Sequence, residues 1–268
     1  MLFALGSALC YGISDVAGGL LSRRVHFGLV AVLGQLGGLL VTLVAAPLVD
    51  SDPTIADFAW GALSGLGTGI GMLFLFRGIS AGALSVVVPV VAVGGLALPV
   101  LVGVVVLGER PSLLAWLGIV VAVPALWFVS LGDDEGTAAG VVSALISSVG
   151  IAVQYLALAQ AGPDAGVWPV LAGRVTAVLA ILPAVRWRKI EAKDALGAGA
   201  VGALAAIALV LYLLATRQQL VVIAVVLSSL YPVIPVLVGI TALRERLTRR
   251  QSVGLLAAAA SVVFLGIA

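Results

Sequence analysis

The polar breaks in this chain are short and widely spaced. Ser22-Arg23-Arg24, Asp50-Ser51-Asp52-Pro53, Gly108-Glu109-Arg110-Pro111, Asp133-Asp134-Glu135 and Arg186-Trp187-Arg188-Lys189 separate apolar runs of roughly 20 residues, the length of one helical bilayer crossing. Of 268 residues, 62% are hydrophobic and 10% charged, whereas a soluble domain carries about 25% charged residues. So few charges cannot cover a core of this size with a polar shell, and the apolar surface has to face lipid. The runs are continuous rather than alternating, which excludes barrel strands, and backbone polar groups in lipid must then be satisfied within each segment. The expected fold is an all-α integral membrane protein. Its ten transmembrane helices fall near 2–21, 27–49, 56–78, 83–107, 112–131, 137–160, 166–187, 195–216, 220–243 and 251–267.

A second constraint is internal repetition at an offset of 136 residues, 99 to 235. Pro99-Val100-Leu101-Val102-Gly103 recurs as Pro235-Val236-Leu237-Val238-Gly239, and each copy is followed by an acid-base pair, Glu109-Arg110 and Glu245-Arg246. The same offset matches Pro47 with Pro183, Gly61-Ala62 with Gly197-Ala198, and Gly118 with Gly254. The expected organisation is two five-helix repeats, 1–131 and 137–268. An odd number of crossings makes the second repeat inverted relative to the first, a recurring design of secondary transporters.

Other classes are disfavoured by what is scarce. Cys10 and His26 are the only residues of their kinds, so no intramolecular disulfide, thiolate metal cluster or multi-histidine site is available. The glycines are not followed by a Gly-Lys-Ser/Thr phosphate loop, and no cofactor is expected. The opening MLFALGSALCYG lacks the basic region of a secretory signal and reads as a retained first helix. The net charge of +2, with basic residues at helix ends, reports topology rather than nucleic-acid binding. Expected partners are a small-molecule substrate and the lipid bilayer, with no nucleic acid, and a homodimer is compatible with the pattern.

These residues resemble the EamA-type members of the drug/metabolite transporter superfamily. The resemblance rests on the five-plus-five layout, the proline-rich fourth helix of each half, the turns Leu107-Gly108-Glu109-Arg110 and Leu243-Arg244-Glu245-Arg246, and the run Tyr11-Gly12-Ile13-Ser14-Asp15 with Gly18-Gly19. It implies a carrier with a central cavity lined by helices 1, 3, 4, 6, 8 and 9, often exporting amino acids or other metabolites. Helices 5 and 10 would lie at the periphery. No binding set carries over residue by residue.

Asp15 is the only acid deep within an apolar helix. A carboxylate there costs about 3 kcal/mol unless paired or protonated, so it is a candidate to carry a coupling proton or bind a cationic substrate group; the alternative is a helix-packing carboxylate. Arg174, inside helix 7, either neutralises Asp15, holds a substrate carboxylate with its bidentate donors, or snorkels to the interface. The polar side chains Tyr11, Ser14, Gln35, Ser64, Thr68, Gln154, Tyr155, Tyr212, Ser228, Ser229 and Tyr231 would together shape a pocket for a small polar or zwitterionic molecule with an apolar part, although any one of them taken singly reads first as an interhelical hydrogen bond. Pro89, Pro99, Pro232 and Pro235 are expected to break helices 4 and 9, as in many transporter sites. Glu109 and Glu245 are expected to satisfy free N–H groups in the turns before helices 5 and 10.

Loops 1-2, 3-4, 5-6, 7-8 and 9-10 carry Arg23, Arg24, Arg77, Arg186, Arg188, Lys189, Lys193, Arg244, Arg246, Arg249 and Arg250, against Arg110 and Arg217 in the others. The positive-inside rule puts the first set in the cytoplasm and the termini outside, whereas the family resemblance implies cytoplasmic termini. The function expected is alternating-access transport of a small metabolite, an amino acid or amphiphilic compound, by export across the inner (plasma) membrane. A flippase for a lipid-linked substrate is the alternative. A membrane-embedded enzyme is disfavoured because Asp15 and Arg174 are the only charges well within spans.

Overall fold

A computed structural model describes residues 2–106, 112–130, 135–218 and 231–266. All regular structure among them is helical: α1 Leu2–Ser22, α2 Phe27–Ala45, α3 Ile55–Ala81, α4 Leu84–Val106, α5 Leu113–Ser130, α6 Glu135–Leu158, α7 Trp168–Ile181, α8 Ala192–Gln218, α9 Val233–Thr241 and α10 Arg249–Gly266. Five of these, α1, α2, α3, α6 and α8, hold apolar stretches long enough to cross a bilayer.

α2 and α7 are shorter than the apolar runs that encode them. Each passes into a single 3-10 turn, Ala46–Leu48 and Leu182–Ala184, in which Pro47 and Pro183 sit at the first positions, where a missing N–H costs little. These turns are related by the same 136-residue offset as the sequence matches, and so are both ends of α5 and α10.

α4 corrects one expectation: it runs unbroken from Leu84 to Val106 with Pro89 and Pro99 inside it. Each proline removes one i to i−4 hydrogen bond, and a single lost bond is absorbed within a helix enclosed by neighbours. Enclosure is what α4 has, since Leu84, Val86, Val87, Val88, Val90, Val91, Ala92 and Val93 are all buried. A helix apolar on every side belongs at the centre of the bundle. Pro232, by contrast, caps the start of α9, and Pro235 lies in its first turn, so both prolines mark the beginning of the described part of helix 9.

The helices pair across the two halves. α3 packs on α6 and α7, while α8 packs reciprocally on α1 and α2. Glycines set these crossings. A Cβ on Gly61 or Gly65 would strike the carbonyls of Pro169 and Gly173 in α7, and one on Gly67 would meet Gly150 and Gln154 of α6 at 2.5–2.7 Å. Without a Cβ the backbones approach closely, and close packing is the main source of helix association in lipid. α5 and α10 pair with each other, joined by Ser261 Oγ donating to the Gly118 carbonyl at 2.8 Å. They turn Val123, Trp127 and Leu256 outward, which places this pair at the edge of the bundle.

Loops from both halves meet on each face. At one face Asp57 accepts from the Gly162 N–H at 2.6 Å and from Thr54 N–H and Oγ1 at 2.8 and 2.7 Å, and Trp168 Nε1 donates to Ser51 Oγ at 3.1 Å. At the other face Arg24 pairs with Asp194 at 3.0 Å. Among the described side chains the first face, with Asp50, Asp52, Asp57 and Asp164, is acidic and the second, with Arg23, Arg24, Arg77, Arg186 and Arg188, is basic.

Candidate substrate site

Arg174 is buried, and neither sequence-based alternative of snorkelling or pairing with Asp15 describes it. Its Nη1 donates to Gln35 Oε1 of α2 at 2.7 Å, and its guanidinium carbon lies 3.2 Å from where a Cβ on Gly38 would stand. Gln35 and Gly38 are one helical turn apart and therefore share a face. One supplies an acceptor and the other supplies room, so among the described residues the planar cation is fixed in the bundle without an acid. The pairing was legible only in part: Gln35 stands out as a polar residue in helix 2, but nothing in the sequence couples it to Arg174.

Asp15, in α1, is 8% exposed. Among the described residues no hydrogen bond or ion pair holds its carboxylate; the three ion pairs are Arg23–Glu245, Arg24–Asp194 and Lys193–Glu191. Tyrosines neighbour both the acid and the base. The rings of Tyr11 and Tyr231 are 6.2 Å apart, inclined at 57°. Tyr231 is within electrostatic reach of Asp15, Tyr155 and Tyr11, and Tyr11 is within reach of Arg174. The turn that carries Tyr231 is fixed against α1 at Gly12, where a Cβ would fall 2.8 Å from the Tyr231 carbonyl.

The structure thus brings Tyr11, Asp15, Tyr155, Arg174 and Tyr231 together from α1, α6, α7 and the turn before α9. Ser14 points elsewhere: its hydroxyl donates to the Val201 carbonyl of α8 at 2.9 Å and ties two helices. Gln154 lies on α6 against Gly67 of α3. The Tyr212 side chain, Ser228 and Ser229 lie outside the described residues, as do Glu109 and Arg110.

Glu245 does not serve α10, the helix that follows it. Its carboxylate accepts from the N–H groups of Leu84 and Ser85 at 2.9 Å each and from Ser85 Oγ at 2.7 Å, capping α4. Arg23 Nη2 adds a fourth bond at 3.0 Å. Burial pushes the carboxyl up, but these donors outweigh it and hold Glu245 below the usual carboxylate range. α10 has its own cap, Thr248 Oγ1 accepting from Gln251 N–H at 3.2 Å while Gln251 Oε1 accepts from Thr248 N–H at 2.9 Å.

The family model that describes EamA-like transporters matches residues 1–131. These residues belong to the EamA-like transporter family. That first EamA half contains Asp15, Tyr11 and Gln35, while Arg174, Tyr155 and Tyr231 lie beyond it. No curated protein matches the sequence. A solved crystal structure, described only as that of a protein, shares the fold with a TM-score of 0.58 at 17% identity, covering 99% of this chain and 97% of that one. The family match over residues 1–131, together with the apolar helices, indicates a multi-pass membrane transporter.

Proposed function

We propose that this EamA-type protein is a secondary transporter that exports a small metabolite, an amino acid or another amphiphilic compound, by alternating access across the inner (plasma) membrane. The observation that carries the reading is the arrangement of Asp15 and Arg174. Among the described residues Asp15 has no ion-pair or hydrogen-bond partner and Arg174 is held by a neutral amide, with the Tyr11 and Tyr231 rings 6.2 Å apart beside them. Two opposite charges kept apart in an apolar bundle are complementary to a substrate that carries both, and a substrate bridging them would relieve the cost of each.

The two halves, 1–131 and 137–268, act as inverted repeats in this proposal. Reciprocal packing of α3 on α6 and α7, and of α8 on α1 and α2, supports two arrangements of similar energy that expose the site to either side. Asp15 takes the coupling proton when substrate leaves.

Thermal stabilisation of detergent-purified protein across amino acids, amines and amphiphilic compounds tests this, because a ligand of the folded state raises the melting temperature. A stabilising zwitterion whose effect disappears in Asp15→Asn and Arg174→Gln is the expected result. Stabilisation by lipid-linked phosphates alone would replace the carrier with a flippase.

A further inference from the structure

On the basic face a cavity of about 520 Å³ opens between the start of α2, the last turns of α3 and the segment after α7, lined by His26, Phe27, Arg77, Pro183, Val185 and Arg186. We propose that this cavity binds a phosphate group, held by Arg77 and Arg186 with His26 as a neutral donor.

Counting charges on this face leads there. Every carboxylate on it whose side chain is described is already taken: Glu245 by Arg23, Asp194 by Arg24 and Glu191 by Lys193. Arg77 and Arg186 come from elements distant in sequence, line one cavity, and have no ion-pair partner among the described residues. The lining contains no acid. Arg77, whose guanidinium carbon lies 5.5 Å from the Phe74 ring centroid, and Arg186 line one cavity without a counter-ion among the described residues; such a pair fits an oxyanion with several acceptor oxygens, and planar forks favour phosphate over a halide.

His26 sharpens the class of ligand. Its Nδ1 accepts the Gly28 N–H at 3.2 Å, and the ring stacks on Phe27 with centroids 4.4 Å apart. With Nδ1 used as an acceptor, the neutral ring carries its proton on Nε2 and remains a donor. Burial, together with the positive fields of Arg186 and Arg188, holds this imidazole below the usual histidine range. An anion bound between the arginines would cancel that field. The remaining wall, Phe27, Pro183 and Val185, is apolar and would accept the glycerol and upper acyl portion of a lipid. The phosphate could belong to an anionic lipid headgroup or to a free phosphate ester, and the cavity chemistry is common to both.

His26 is the only histidine in the chain, so it is an unambiguous reporter when a histidine-free purification tag is used. Protein labelled with ¹⁵N-histidine would be titrated by NMR in phosphatidylcholine nanodiscs, first alone, then with glycerol phosphate, then with phosphatidylglycerol replacing part of the bilayer. Binding is expected to raise the His26 midpoint by about one pH unit. A rise with phosphatidylglycerol only identifies a lipid site, and a rise with glycerol phosphate identifies a soluble ester site. In R77Q/R186Q the rise should be lost; where that variant does not fold, R186Q, altered only on an exposed loop, should at least halve it. No movement with either ligand, or an equal rise in the variants, which would be the bilayer's surface potential acting alone, overturns the proposal.

Discussion

Arg23 and Glu245 meet at 3.0 Å although 222 residues of chain separate them. Arg23 also donates to the carbonyls of Ile79 and Gly82 at the end of α3, and Glu245 caps α4. One ion pair thus ties the ends of α1, α3 and α9 to the start of α4. At the 136-residue offset the positions corresponding to Arg23 and Ser85 hold Ala159 and Val221, so the second half cannot repeat this tie.

Replacing Glu245 with Gln should destabilise the fold by about 2 kcal/mol, the worth of hydrogen bonds to a charged acceptor. The pH dependence follows from its depressed carboxyl. Stability from Glu245 is fully present above the ordinary carboxylate range and is lost as pH falls through the lower folded value. Thermal unfolding of wild type and E245Q between neutral and acid pH should therefore converge at low pH. Parallel curves would mean that the charge of Glu245 contributes nothing.

Two glycines three residues apart on α8 should respond in opposite ways. A Cβ on Gly202 would overlap the Gly34 carbonyl of α2, whereas a Cβ on Gly199 meets nothing within 4 Å. Gly202→Val should abolish folded, monodisperse protein. Gly199→Ala should be neutral, or stabilising by up to about 1 kcal/mol, through helix propensity. Detergent size-exclusion profiles and melting temperatures of the two variants check this, and similar behaviour in both would contradict the α2–α8 crossing described above.

How far the sequence reveals the molecule depends on the range of the interaction that decides each feature. Crossing number and helix ends follow from local apolar length and from prolines such as Pro47 and Pro183, because lipid requires each segment to satisfy its own backbone. Asp15, Tyr11, Arg174 and Tyr231 are visible as candidates because polar groups in apolar runs are costly wherever they lie. Partners are another matter. Glu245 precedes α10 and caps α4, and Arg174 lies beside Gln35 rather than Asp15, since helix packing rather than chain order decides which groups meet. Pro89 and Pro99 show the converse: a residue that breaks an isolated helix is retained in one enclosed on all sides.

The Arg174–Gln35 bond separates a structural cation from a binding one. Gln35→Leu leaves a buried guanidinium without its acceptor and should cost about 2 kcal/mol of stability. Arg174→Lys keeps the charge but loses the planar fork. It should melt within a few degrees of wild type while losing most of the stabilisation conferred by an added zwitterion. Retained ligand stabilisation in Arg174→Lys would reduce Arg174 to a packing role.

Asp15→Asn decides whether the acid in α1 is kept for function. An amide has nearly the same shape as a carboxylate but no charge to desolvate, so a variant without the charge should melt higher, by about 1 kcal/mol or more of stabilisation. A residue retained at that cost is expected to lose its purpose when neutralised. In proteoliposomes, D15N should bind substrate weakly and show no uptake driven by a proton gradient, while exchange driven by substrate alone would survive only if Asp15 carries the proton and not the substrate. A variant that melts lower than wild type and transports normally would make Asp15 a helix-packing carboxylate, and the coupling group would then have to be sought among Tyr11, Tyr155 and Tyr231.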